Sequence, residues 1–235
     1  MQKAVDTVEE FWNKKDINEL KDKVSDRSIP LFKQELSDYL GVESKSVYFQ
    51  PSARKGLEML LKSIKDEKKT VLVPAFNCPV VEDAILKAGW EVRLYDFSSK
   101  IGVFDWDKLL AELDNHIGVI IVTHYFGVPV NFLKIKEKCN EMDILIIEDC
   151  AHILGGRIDD LMAGTIGDAS IFSFNYDKPI SLGWGGFVLI NNQNKFNVID
   201  DSEWCIPSLR CELDFLYDFI LSMSNRRRAI PLKRF

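Results

Sequence analysis

The sequence predicts an α/β protein, a parallel or mixed sheet covered by helices on both sides. Three observations point there. The runs TVLVPAF, WEVRLYDF, GVIIVTHYF, DILIIEDC, ASIFSF and GFVLIN are β-branched or aromatic and of strand length. Amphipathic helical stretches lie between most of them, the alternation that builds βαβ units. The strands are apolar on both faces, as strands covered from both sides must be.

Each element can be justified in order. Residues 1–50 read as helical: charged residues surround Val8, Phe11, Trp12, Leu20 and Val24. Leu31, Phe32, Leu36, Tyr39 and Leu40 then recur at helical spacing, with Gly41 as a C-cap. RKGLEMLLKSIKDEKK is an amphipathic helix, and TVLVPAF the first strand. VVEDAILKAG, FDWDKLLAELDNH and NFLKIKEKCNEM are the helices that separate WEVRLYDF, GVIIVTHYF and DILIIEDC. ASIFSF and GFVLIN close the series. Near the end, ELDFLYDFILSM is apolar and NRRRAIPLKRF basic, which reads as a helix whose basic end complements its dipole. Asp214 and Asp218 within that stretch argue against a membrane-surface helix.

Composition narrows the class. The 235 residues carry 30 basic and 36 acidic side chains, a formal charge of −6, so clustered phosphate neutralisation and nucleic acid as the main ligand are not expected. Hydrophobic residues at 46% and charged ones at 28% exclude a disordered or collagen-like chain. Cys78, Cys139, Cys150, Cys205 and Cys211 are odd in number and form no CxxC pair, so no metal site is expected and the thiols read as reduced, in a cytoplasm. The N-terminus has no signal-peptide core, and no long apolar run predicts a membrane span.

Ligands of open α/β sheets bind beyond the carboxyl ends of the strands. Read there, the sequence offers His124, Glu148, Asp149, His152, Ser173, Asn175, Asp177 and Lys178. A carboxylate ending one strand can keep a heterocyclic nitrogen protonated, while a lysine beyond another can bond covalently to an aldehyde. A pyridoxal phosphate site requires that pair. The plainer readings are that Asp149 caps the next helix, His152 is a packed helix-borne side chain, His124 a structural strand end, His116 a surface residue and Lys178 a solvated charge.

Four ordered blocks resemble a known family. IIEDCAHILGGRIDDLMAGTIGDASIFSFNYDKPISLGWGG resembles the core signature of the DegT/DnrJ/EryC1/StrS sugar aminotransferases. YLGVESKSVYFQPSARKGLEMLL resembles the family's segment in which a Ser-Gly-Thr turn opens a helix. VLVPAFNCPVVEDAILKAGWEVRLYDF resembles its next strand–turn–helix, and VIIVTHYFGVP its His-Tyr-Gly strand end. The resemblance implies the three-layer large domain of a pyridoxal phosphate-dependent transferase with a mixed, mostly parallel sheet. It implies an N-terminal helical segment over 1–30, the cofactor-binding domain over 31–200 and a helical tail over 201–235. Lys178 then corresponds to the lysine that binds the cofactor aldehyde and shuttles a proton, and Asp149 to the partner of the pyridine nitrogen. His152 falls near the ring hydroxyl, Ser173 on the phosphate, Ala53 and Arg54 on the phosphate-cradling turn, and Asn175 within the lysine's loop.

The chain departs from the family pattern in places. SAR stands for SGT, so Arg54 either supplies a phosphate contact or faces solvent. Cys78 occupies the position of a stacking aromatic, with Phe76 two residues early, and Trp184 replaces a glutamate in GWGG. Family members continue into a small C-terminal domain that closes the cleft. The implied reaction moves an amino group, typically from glutamate, to a nucleotide-linked keto sugar. The implied state is a homodimer or a partner of a longer homologue, associating partly through Phe215–Met223. A non-catalytic homologue and a lyase or dehydratase on the same scaffold are the rival readings.

Overall fold

A computed structural model describes residues 28–65, 67–98 and 104–197. The described residues form five α-helices around a seven-stranded sheet. Helix α1 (Ser28–Leu40) ends on Gly41, whose φ of +71° suits a residue without Cβ, and the Val42 amide reaches back to the Ser37 carbonyl at 3.0 Å. Then come β1 (Val47–Gln50), α2 (Ala53–Ser63), β2 (Thr70–Pro74), α3 (Pro79–Lys87) and β3 (Glu91–Tyr95). Helix α4 (Trp106–Glu112), β4 (Ile117–Thr123), α5 (Leu133–Glu141) and β5 (Leu145–Asp149) follow. A two-stranded ribbon, β6 (Arg157–Ile158) with β7 (Leu161–Met162), precedes β8 (Ala169–Ser173) and β9 (Gly186–Ile190).

The strand order is β1-β9-β8-β5-β4-β2-β3. All neighbours are parallel except that β9 runs against both β1 and β8, so the sheet is mixed and mostly parallel. Alternate strand residues feed two cores. Val71, Val73, Val119, Ile121, Leu145 and Ile147 pack with α2 and α3 through Leu57, Leu60, Leu61 and Ile85. Leu72, Ile120, Val122 and Ile146 face the other way, toward Leu109, Ile135 and Cys139 of α4 and α5. A third cluster places α1 against β1, β9 and β8 through Leu36, Leu40, Phe49, Phe172 and Phe187. Each fully buried Leu or Ile contributes about 1.5–3 kcal/mol. These three layers are the architecture expected from the two-sided strands.

Several local expectations fail. Val47–Gln50 is a strand within the stretch read as helical, because β9 offers it a complete antiparallel ladder. Helix α2 stops at Ser63; Ile64 is extended and bridges to Phe196. The edge strand β3 buries only Tyr95 and exposes Leu94, so it is not apolar on both covered faces. His152 lies in a turn rather than on a helix. The segment 1–27, the tail 201–235 with Phe215–Met223, and Cys205 and Cys211 lie outside the described residues. Among the described residues no helix is long and apolar enough to cross a membrane.

Candidate active site

The carboxyl ends of β2, β4, β5 and β8 open onto one cavity of about 630 Å³. The register sets Thr123 beside Asp149 and Asp149 beside Ile171, so neighbouring strands deliver their last residues side by side. Ala53, Arg54, Cys78, Asp149, His152, Ser173, Asn175, Asp177 and Lys178 all line this cavity, whereas His124 and Glu148 do not.

Asp149 is 5% exposed, and its Oδ1 accepts the Ala151 amide at 3.0 Å. Burial raises its pKa, while that amide and the nearby His152, His124 and Lys178 favour the ionised form. Lys178 is largely buried, with Nζ 3.2 Å from the half-exposed Asp177 carboxylate. Its backbone amide donates to the Asn175 carbonyl at 3.0 Å, and Asn175 Oδ1 accepts the Tyr176 amide at 2.9 Å. These bonds shape the tight loop that turns the lysine inward. Ser173 Oγ ends β8 and accepts weakly from the Asn175 amide at 3.4 Å.

Helix α2 starts at the cavity. Ser52 is its N-cap, accepting the Lys55 amide at 3.1 Å, which leaves the amides of Ala53 and Arg54 with no carbonyl of their own helix. Opposite them, a Cβ on Gly186 would sit 2.9 Å from the Ala53 nitrogen and 2.3 Å from the Phe172 carbonyl. Only glycine permits that approach. Arg54 is exposed and, among the described residues, forms no ion pair. Cys78 is an exposed free thiol at the start of α3.

Behind the cavity Glu148 is fully buried. Its Oε1 accepts the amides of Ile166 and Gly167, at 2.8 and 2.7 Å. Its Oε2 accepts the Gly164 amide at 2.7 Å and lies 3.0 Å from His124 Nε2. His124 Nδ1 accepts the Val130 amide at 2.9 Å, so in the neutral ring the proton sits on Nε2 and points at Glu148. His124, Glu148 and Cys150 place ligand-type atoms within 4.8 Å of one another. Both ring nitrogens and both carboxylate oxygens are held by protein partners, so this cluster pins the strand ends together. His124 is thus the structural strand end anticipated. Burial raises the Cys150 thiol well above its ordinary range and pushes Cys139 to about 12.

The residues fit pyridoxal phosphate by a direct test. Asn77 Nδ2, Thr123 Oγ1 and His152 Nδ1 are buried polar atoms without a hydrogen-bond partner, and all three residues line this cavity. Buried polar atoms are normally paired, so unpaired ones grouped here mark a place for a polar ligand. Beside them stand a buried carboxylate for a ring nitrogen, a lysine for an aldehyde and a helix N-terminus for a phosphate. Asn77 and Thr123 escape the sequence reading, although both lie at strand ends, where the rule for open sheets directs attention.

An α/β sheet whose strand ends gather this set has the chemistry to hold pyridoxal phosphate. The chain belongs to the DegT/DnrJ/EryC1/StrS aminotransferase family, whose model matches residues 13–200. A UDP-4-amino-4,6-dideoxy-N-acetyl-beta-L-altrosamine transaminase of Campylobacter jejuni is 30% identical over 185 residues, covering 77% of this chain and 48% of that protein. A GDP-4-keto-6-deoxy-D-mannose 3-dehydratase of Yersinia pseudotuberculosis is 23% identical over 200 residues, 80% of this chain and 51% of that one. Among solved structures, Helicobacter pylori PseC, an aminotransferase involved in pseudoaminic acid biosynthesis, superposes with a TM-score of 0.65 at 22% identity, over 72% of this chain and 46% of its own; that likeness is one of fold. The chain spans about half the length of the curated relatives it matches.

Proposed function

We propose that this chain is the cofactor-binding part of a pyridoxal phosphate-dependent aminotransferase that acts on a nucleotide-linked keto sugar, with glutamate as amino donor. One observation carries the reading. The buried Asp149, the inward Lys178 and the three unpartnered buried polar atoms all belong to the lining of a single cavity. The family and its named relatives support the substrate class.

When bound, pyridoxal phosphate supplies an electrophilic aldehyde and a ring that withdraws electrons from a carbon bonded to nitrogen. The chain's own residues bind, orient and move protons. Lys178 Nζ is the amine that would hold the aldehyde, and, when free, the base that would carry a proton to and from the reacting carbon. The Asp149 carboxylate keeps a proton on the ring nitrogen, and that cationic partner offsets its burial. The Ala53 and Arg54 amides, with Ser173 Oγ, hold the phosphate. His152 meets the ring hydroxyl, Asn175 shapes the lysine loop, and Cys78 forms part of the wall. Phe76, Phe126, Val128 and Leu182 are exposed apolar side chains, three of them on or beside this lining. They support a second copy or a longer homologue as the partner. The cytoplasm is the compartment this reading implies.

The test combines spectroscopy with mapping. Purified chain mixed with pyridoxal phosphate should develop a visible absorption band, and borohydride should then fix the label on Lys178. A label on another lysine, or none, sinks the assignment. The likeness to a 3-dehydratase gives a second reading on the same site. Nitrogen-15 glutamate separates the two, because an aminotransferase leaves the heavy nitrogen on the sugar and a dehydratase does not.

A further inference from the structure

Phe126 is an anomaly of this fold. Its φ and ψ of 53° and 33° put a bulky aromatic in the left-handed region. Among the described residues only Asp143 and Asp159 share a positive φ without being glycine, and short polar side chains tolerate it far better. The ring gains nothing from burial, being 75% exposed. The turn that carries it is nevertheless held from several sides. Tyr125 Oη donates to the Phe76 carbonyl at 2.7 Å, the Val128 amide returns to the Tyr125 carbonyl at 2.8 Å, and the buried Glu148–His124 pair anchors the preceding residue. Strain maintained at this expense, in a residue that packs poorly, is typical of ligand clamps.

The ring's surroundings say what it clamps. Phe126 lines the cavity with Asp149 and Lys178, and its ring stacks on His152 with centroids 5.8 Å apart and planes 25° apart. His152 Nδ1 is one of the unpartnered buried atoms. From the start of α3, Cys78, Val80 and Val81 line the cavity, and none of them is aromatic. Phe76 also lines the cavity but has ordinary neighbours, with ring centroids 5.7 Å from Tyr125 and 6.3 Å from Phe97.

We propose that Phe126 is a positioning residue for the cofactor ring: the strained turn presents it, with His152 stacked on it, as the aromatic wall that Cys78 does not supply. This rests on the function proposed above. The side chain acts by offering an apolar face and by fixing the plane of the His152 imidazole, and takes no part in covalent chemistry.

The test uses pyridoxamine 5′-phosphate, which has no aldehyde and so cannot couple to Lys178, titrated by intrinsic fluorescence. Phe126→Asn keeps a residue that accepts the left-handed backbone but removes the ring, and Phe126→Tyr keeps the ring. The Asn variant should melt at or above the parent's temperature yet bind roughly 3–10-fold more weakly, the range expected for one lost aromatic contact. The Tyr variant should bind as the parent does. A purely structural ring would lower the melting temperature of the Asn variant and leave its affinity unchanged, which overturns the proposal. Equal binding by all three proteins overturns it alone, leaving the assigned function intact. A parent chain that does not bind the probe overturns both.

Discussion

At Asp149 burial and charge pull against each other, and the conflict can be measured. Burial raises the folded-state pKa, so without ligand the folded chain still holds this proton at a pH where the unfolded chain has released it. Stability therefore falls as pH climbs from the ordinary carboxylate range through the folded pKa, and the loss is complete above it. Asp149→Asn abolishes that penalty. In the absence of cofactor the variant should be more stable than the parent at neutral pH, by about 2–4 °C in melting temperature per kcal/mol relieved. The advantage should vanish toward about pH 4. Chemical denaturation across a pH series measures it, and parallel curves for both proteins would refute the account. With pyridoxal phosphate present the same variant should retain the cofactor poorly. Lys178→Ala should remove the borohydride label and slow amino transfer by on the order of 10²–10⁴-fold, followed in a single-turnover assay.

Among the elements, the start of α2 joins stability to binding. Ser52→Ala removes the cap on the Lys55 amide and should cost about 1 kcal/mol in urea denaturation. Gly186→Ala should be more damaging, about 1–3 kcal/mol, because the new methyl meets the Phe172 carbonyl and the Ala53 nitrogen, neither of which can swing aside. The two variants also show what could be read in advance. The helix is legible in RKGLEMLL because its apolar face is periodic, and β2, β4 and β5 because each carries an unbroken apolar run, VLV, VIIV and LII. Strand β1 was not, since VYFQ is short and becomes a strand only through pairing with a distant partner. Nor was the ribbon of β6 and β7, two residues on each side of a turn. At the site, Asp149 and Lys178 are legible as a pair of chemical roles. The strain at Phe126 is not, because nothing in HYFGVP distinguishes a left-handed Phe from an extended one. The wanting partners of Asn77 and Thr123 likewise emerge only once the chain is folded.

At the scale of the molecule, the buried Glu148 ties β4, β5 and the loop before β8 into one unit. Glu148→Ala would leave three backbone amides and the His124 ring without their acceptor. It should cost roughly 3–5 kcal/mol, a large share of a domain's stability, and a denaturation midpoint within error of the parent's would contradict this. The sheet order has a further consequence, one of timing. Strand β1, the first of the described strands, stands at one edge of the described sheet and pairs with β9, the last, with Val47 opposite Leu189. The phosphate cradle depends on that pairing, because Gly186 of β9 meets Ala53 of α2 beside β1. Contacts between such remote parts of a chain form late, after the loops joining them have closed. During synthesis on the ribosome the strand ends bearing Thr123 and Asp149 are therefore made well before the phosphate end of the site can exist. Between the making of Thr123 and that of Gly186 a growing chain holds only part of the site, and β9 completes it.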